Sequence, residues 1–254
     1  MTFSLLIPTR SRPSYLDVLI ANVYDKTTNL EDIEILFAVD DDDLLSQGKV
    51  KFLQNKYSDM AIHLHIRKRT VFLNRDYYNW LATFAKGDFL WIFGDDLTIH
   101  INNWDEIIKE RLDGYFLTHK DRIVCASIRD NTPKPSPYLP KFPCFPMFSR
   151  EAFEVSQMLL HPKIPTWGAD YLAYVIYEPI KRLLVIEEDV YLNHKSYHTR
   201  QVTADGVANR IGSIFNRMKM IPEHNIQRIE REEVPIIKQK LLTYINQYNK
   251  NATS

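Results

Sequence analysis

The chain has 254 residues, 45% hydrophobic and 25% charged, an ordinary globular composition with enough length for one large domain or two small ones. Its 32 basic residues balance 32 acidic ones, which excludes bulk attraction to nucleic acid or membrane and leaves only local patches. No apolar run approaches the ~18 residues of a membrane span, the first residues lack the build of a signal peptide, and Cys125 and Cys144 read as reduced thiols, so a cytoplasmic protein is expected.

Ser4 to Ile7 is a short apolar run stopped by Pro8 and reads as a buried strand. From Pro13 a helix begins, with its apolar stripe at Leu16, Leu19, Ile20 and Val23. Ile33 to Val39 is a second strand, closed by four aspartates. Leu44 to Tyr57 is a helix and Ile62 to Ile66 a third strand. Leu73, Tyr77, Trp80, Leu81 and Phe84 form another helical stripe, and Phe89 to Phe93 is the fourth strand. Four strand–helix alternations in about 100 residues predict a parallel sheet with helices on both faces.

The second half is less regular. A helix is expected over Trp104 to Leu112 and a strand over Ile123 to Ile128. The proline-dense stretch from Pro133 to Pro146 admits neither a helix nor a central strand. Helices follow from Arg150 to Leu160 and from Gly168 to Tyr177, then strands at Leu183 to Ile186 and Val190 to Leu192. The region from Glu223 to Tyr248 is helical and restarts near Pro235.

In open sheets of this kind ligands bind beyond the carboxyl ends of the strands. Three of those ends carry chemistry: Thr9-Arg10-Ser11-Arg12, Asp40 to Asp43, and Asp95-Asp96. The last pair ends the apolar run from Phe89 to Phe93. Two adjacent carboxylates at a buried strand's end must meet water, a cation or a metal, because desolvating them unpaired costs several kcal/mol each. A hard divalent ion carrying phosphate oxygens is a natural partner.

The first loop contains no glycine, which argues against both the dinucleotide-binding fingerprint and the P-loop. Phosphate would be held by side chains such as Arg10 and Arg12, or by a metal; the plainer reading is a solvated basic helix start. Asp40 and Asp42 are candidates for hydrogen bonds to a nucleobase or ribose, while Asp41 and Asp43 read as a solvated loop that caps the next helix.

Ile-Pro-Thr-Arg-Ser-Arg-Pro at 7–13, Val-Asp-Asp-Asp-Asp at 39–43, and Phe-Gly-Asp-Asp at 93–96 followed by Trp104-Asp105 resemble family 2-like glycosyltransferases, in particular the small versions common in bacteriophages and bacteria. The resemblance spans roughly residues 3 to 205. It implies an α/β GT-A fold, a Rossmann-like, mostly parallel sheet flanked by helices. The expected organisation is a nucleotide-binding half (1–100), an acceptor half (101–205) and a C-terminal helical extension (206–254).

The same resemblance implies site roles. Pro8, Thr9, Arg10, Arg12 and Asp40 would hold the nucleotide, with Asp42, and with Asn74 and Arg75 at positions of polar nucleotide or diphosphate contacts. Asp95 and Asp96 look like the D-x-D element, Asp96 as a direct metal ligand and Asp95 nearer the ribose, although Phe93 stands where many relatives carry the first Asp. His194 would be a further ligand to Mn2+ or Mg2+, with His198 the alternative. Asp170, opening a helix, matches the catalytic base of inverting relatives, with Trp167 and Gly168 at the acceptor. Trp167 reads either as a sugar platform or as core packing, and Phe142, Phe145 and Tyr138 either line the acceptor site or belong to a rigid connector.

The expected activity is transfer of a sugar from a UDP- or GDP-linked donor to an acceptor hydroxyl on a glycan or a hydroxymethylated DNA base. Arg210, Arg217, Lys219, Lys238 and Lys240 are the candidates for a local basic face. The rival readings are a nucleotidyltransferase, which the glycine-free loop disfavours, and a non-catalytic nucleotide-sugar-binding module.

Overall fold

A computed structural model describes residues 1–132, 141–195 and 220–253, together with Ser213, Asn216 and Arg217. Among the described residues eight strands form one sheet: β1 Phe3–Thr9, β2 Ile33–Asp40, β3 Ala61–Arg67, β4 Phe89–Ile92, β5 Leu97–Ile99, β6 Cys125–Asp130, β7 Met147–Ser149 and β8 Leu183–His194. Their order is β3-β2-β1-β4-β7-β6-β8-β5. The first four are mutually parallel. β7 runs antiparallel to both β4 and β6, and β8 is parallel to β6 and antiparallel to β5.

The helices are α1 Pro13–Lys26, α2 Leu44–Lys56, α3 Asn79–Ala82, α4 Trp104–Phe116, α5 Arg150–Ser156, α6 Ala169–Tyr177, α7 Ile226–Glu232 and α8 Val234–Thr253. α1 opens with Pro13 in its first turn, where a missing N–H costs nothing, and ends with Lys26 in its last turn. Asp43 caps α2 by accepting the Ser46 N–H at 3.2 Å.

Side-chain alternation along the strands divides the core in two. Phe3, Leu5 and Ile7 of β1, with Ile33, Ile35, Phe37 and Val39 of β2, pack against α1, α2 and α4. Leu6, Leu36 and Ala38 face the other layer, which holds α3, α5, α6, α7 and α8. Both sheet faces are covered, so the central strands read as continuous apolar runs. The chain moves outward from β1 to β2 to β3, then returns to the other side of β1 at β4. This reversal opens a crevice between the carboxyl ends of β1 and β4.

Four local details differ from expectation. The helical stripe at 73–84 begins as a π turn over Asn74–Tyr78, which continues directly into α3. β8 is one strand of 12 residues where two were read. α5 stops at Ser156, where Gln157 takes a left-handed conformation (φ 62°). β5 and β7 are three residues each, too short for periodicity to reveal. The C-terminal helices meet at Glu233, and Pro235 falls in the first turn of α8. No helix is long and apolar enough to cross a membrane, among the described residues. Cys125 is buried on β6 and Cys144 half-buried, and both are thiols.

Candidate active site

A cavity of about 950 Å3 lies at the crevice between β1 and β4. The rims that follow β1, β2 and β4 are tied together there by side chains. Thr9 Oγ1 donates to Asp95 Oδ2 at 2.8 Å, and Arg12 Nη1 donates to Asp95 Oδ1 at 2.8 Å and to Asp96 Oδ2 at 3.4 Å. Arg10 Nη1 donates to Asp40 Oδ2 at 2.7 Å, and the same guanidinium grips both oxygens of Asp42. The Ser11 N–H donates to Asp43 Oδ2 at 2.6 Å. Ser11 is left-handed (φ 56°), which turns the loop so that Arg10 and Arg12 reach different rims.

Asp40 is buried and doubly engaged. Besides Arg10, its carboxylate accepts the Tyr77 hydroxyl, and Arg69 stands 3.9 Å away. Asp42 is half exposed and lies outside the cavity lining, and its carboxyl is held below the ordinary range by the Arg10 hydrogen bond. Asn74 lines the cavity, but its amide donates to the Ile164 and Thr166 carbonyls at 2.7 Å each. Arg75 points away: it pairs with Asp76 at 2.9 Å and lies over the Phe72 ring. Pro8, Thr9, Arg10, Arg12, Asp95 and Asp96 all line the cavity.

The strand register explains how His194 arrives. Asp96 immediately precedes β5, and Leu97 pairs with His194 on β8. His194 Nε2 then lies 3.4 Å from Asp96 Oδ1. Its Nδ1 is 2.9 Å from the Thr132 hydroxyl, and the edge of its ring meets Phe145 with centroids 4.9 Å apart. His198, the alternative ligand, lies outside the described residues.

Adjacent ligands of an octahedral ion at about 2.1 Å stand about 3.0 Å apart, so a small closure suffices for Asp96 and His194 to share a divalent cation. Two carboxylates and one imidazole suit Mn2+ or Mg2+, ions that usually complete their shell with water and phosphate oxygens. Among the described residues no cluster of three or more such side chains is already gathered around one point, so substrate oxygens would complete the set. Burial, reinforced by the Asp96 charge, raises the Asp95 carboxyl above its ordinary range despite the opposing Arg12. Removing that positive charge, or adding one, therefore acts directly on this pair.

Asp170 lines the same cavity from the first turn of α6. Its Oδ1 accepts the Gly168 N–H at 3.1 Å and the Tyr171 N–H at 2.9 Å. Burial nevertheless pushes the carboxyl up to about 6, with the Asp130 charge adding to it. A carboxylate so placed is poised to accept a proton near neutral pH. Gly168 caps the helix at φ 93°, a conformation that glycine tolerates without cost. Trp167 and Gly168 both line the cavity, as do Phe142 and Phe145. The Phe145 carbonyl also accepts the Trp91 indole N–H at 3.1 Å, so this segment both lines the cavity and is anchored to β4. Tyr138 lies outside the described residues.

Tyr77 and Arg69 were missed by sequence reading. Arg69 had a signal: Arg67-Lys68-Arg69 follows the end of β3, so the strand-end rule makes it a fourth rim. Tyr77 had none, because its position in a helical stripe reads as core.

No protein-family model matches the chain, and no curated protein matches it in sequence. Solved structures do resemble it. Residues 1–349 of TarS from S. aureus in complex with UDP superpose with a TM-score of 0.57 at 14% identity, covering 89% of this chain and 74% of that one. The mannosyltransferase PcManGT from Pyrobaculum calidifontis, in complex with GDP-Man and Mn2+, gives 0.60 at 12% identity, covering 95% and 73%. GalNAc-T7 with UDP, GalNAc and Mn2+ gives 0.60 at 15%, covering 92% and 54%. At these identities the likeness establishes architecture: the chain has the α/β GT-A fold.

Proposed function

We propose that this protein is a glycosyltransferase that moves a sugar from a nucleoside-diphosphate donor to an acceptor hydroxyl with inversion. The observation that carries this reading is one cavity lined both by the Asp95-Asp96 pair with Arg10 and Arg12 and by the Asp170 carboxyl. The similar folds that hold UDP or GDP-Man, two of them with Mn2+, support it.

In this reading residues 1–100 seat the nucleotide and 101–205 the acceptor, and the helices within 220–253 form the extension. Pro8, Thr9, Arg10 and Asp40 border the nucleotide, and Asp96, His194 and Asp95 would hold Mn2+ or Mg2+. A bound cation supplies positive charge that offsets the negative charge developing on the leaving diphosphate. Asp170 takes the proton from the acceptor hydroxyl as its oxygen bonds to the anomeric carbon. The bond from that carbon to the β-phosphate oxygen breaks, and its electron pair leaves with the diphosphate. Trp167, Phe142 and Phe145 give the acceptor an apolar platform that excludes water. The acceptor is a glycan or a hydroxymethylated DNA base. Of the basic-face candidates for DNA, Arg217, Lys238 and Lys240 fall within the described residues.

The test is a panel of UDP- and GDP-sugars, scored by diphosphate release with and without Mn2+. Release from one donor, stimulated by the ion, is the expected result. Nucleotide binding with no release from any donor would reduce the protein to a binding module, and productive use of a nucleoside triphosphate would make it a nucleotidyltransferase.

A further inference from the structure

The segment that delivers Asp170 is stitched to the C-terminal helices. On one side, the Asn74 amide holds the Ile164 and Thr166 carbonyls, and the Asn79 amide donates to the Leu160 carbonyl at 2.7 Å. On the other side, contacts run to residues 224–233. Glu233 takes Lys163 Nζ at 2.9 Å and stands 3.5 Å from His161 Nε2. His224 Nδ1 lies 2.6 Å from the Lys163 carbonyl, and its ring meets Phe72 edge-on with centroids 5.4 Å apart. The Tyr171 hydroxyl reaches both Glu230 oxygens at 3.1 and 3.2 Å.

The tightest point is Gly168. A Cβ there would lie 2.4 Å from Ile226 Cδ1, at a backbone angle (φ 93°) that side chains rarely adopt. The first residue of α7 is therefore packed onto the bare backbone whose N–H donates to Asp170 Oδ1. A gap at this point would let the Trp167-Gly168 turn shift and pull its N–H away from the carboxylate.

We propose that α7 is a positioning element of the active site, with Ile226 as its key residue: by closing on Gly168 it fixes the Asp170 carboxylate toward the acceptor. This rests on the reading of Asp170 as the base. It predicts that the C-terminal helices govern acceptor-side chemistry while leaving nucleotide seating alone. Among the described residues, a charged group that bears on the carboxylate is Asp130 at the end of β6.

Three variants test this: Ile226→Ala, the conservative Ile226→Val, and Leu241→Ala, which removes a fully buried side chain of α8 rather than of α7. The carboxyl of Asp170 is followed directly by 13C NMR titration of Asp-labelled protein, its signal assigned with Asp170→Asn, alongside donor turnover and nucleoside-diphosphate affinity. Ile226→Ala is expected to move the titration up by about one pH unit as the Gly168 N–H, which holds it down, loses its place. Its kcat should fall about tenfold or more from lost orientation, with nucleoside-diphosphate affinity unchanged. Ile226→Val should restore most of both effects, and Leu241→Ala should lose stability without moving the titration. If Ile226→Ala titrates like the wild type, or if Leu241→Ala shifts the titration equally, the proposal is overturned. The NMR arm stands whether or not a donor is turned over, so absence of wild-type turnover would count against the transferase reading alone.

Discussion

Asp170 accepts two backbone N–H groups and still titrates near 6 because burial outweighs them. Its folded pKa lies above the ordinary ~3.9 of an unfolded aspartate. The resulting stability penalty is absent below about pH 4, grows as pH rises, and is complete above 6. Asp170→Asn keeps the accepting Oδ1 and removes the charge. At pH 7.5 thermal or urea unfolding should show a gain of about 1–3 kcal/mol, with no gain near pH 4. Turnover should fall about 10²–10⁴-fold. With Asp170 as the proposed base the active form is the carboxylate, so wild-type turnover should drop as pH falls through about 6, a limb readable from a pH–rate profile.

Arg12 makes a complementary case. Its guanidinium donates to both members of the carboxylate pair, so it stands where a cation would draw charge. In Arg12→Gln the competitor is gone, and Mn2+ binding without nucleotide, followed by electron paramagnetic resonance, should tighten several-fold. Unchanged or weaker Mn2+ binding would refute this competition. Trp104 and Asp105 show the opposite outcome for a motif. The indole N–H donates to Thr27 Oγ1 at 3.0 Å, and the carboxylate accepts the Thr28 and Asn29 N–H groups at 2.9 and 3.0 Å. These residues pin the chain after α1 and stand outside the cavity lining.

Elements were legible in the sequence where long apolar runs and helical stripes repeat. β1 to β4 and α1, α2 and α4 therefore appear close to their expected places. The rims were legible too, because strand ends in an open sheet converge by topology alone: Thr9 at the end of β1 donates to Asp95 beyond β4, and Arg10 beyond β1 donates to Asp40 at the end of β2. What escaped depends on pairing at long range. β5 exists because Leu97, Thr98 and Ile99 find Leu192, Asn193 and His194, nearly a hundred residues later. Neither segment announces the pairing, yet it sets the distance from His194 to Asp96. The C-terminal helices were read as an appendage, but Ile229, Val234, Ile237, Leu241 and Ile245 are buried in the same layer as Leu172, Ala173 and Ile176 of α6. A chain ended at residue 205 would expose that face. It should express as an aggregating or molten species that binds ANS and lacks a cooperative transition.

Across the whole molecule, the crevice between β1 and β4 follows from the order β3-β2-β1-β4, and a core layer packs on either face of that sheet. Without glycines in its first loop, the site offers a diphosphate no cradle of bare backbone N–H groups. It offers side chains that already hold one another: Arg10, Arg12 and Arg69 against Asp40, Asp42, Asp95 and Asp96. Three positive charges facing four negative ones leave nothing in surplus for an anionic guest. On the proposed reading, a polyanion is better received there together with its own counter-charge than alone.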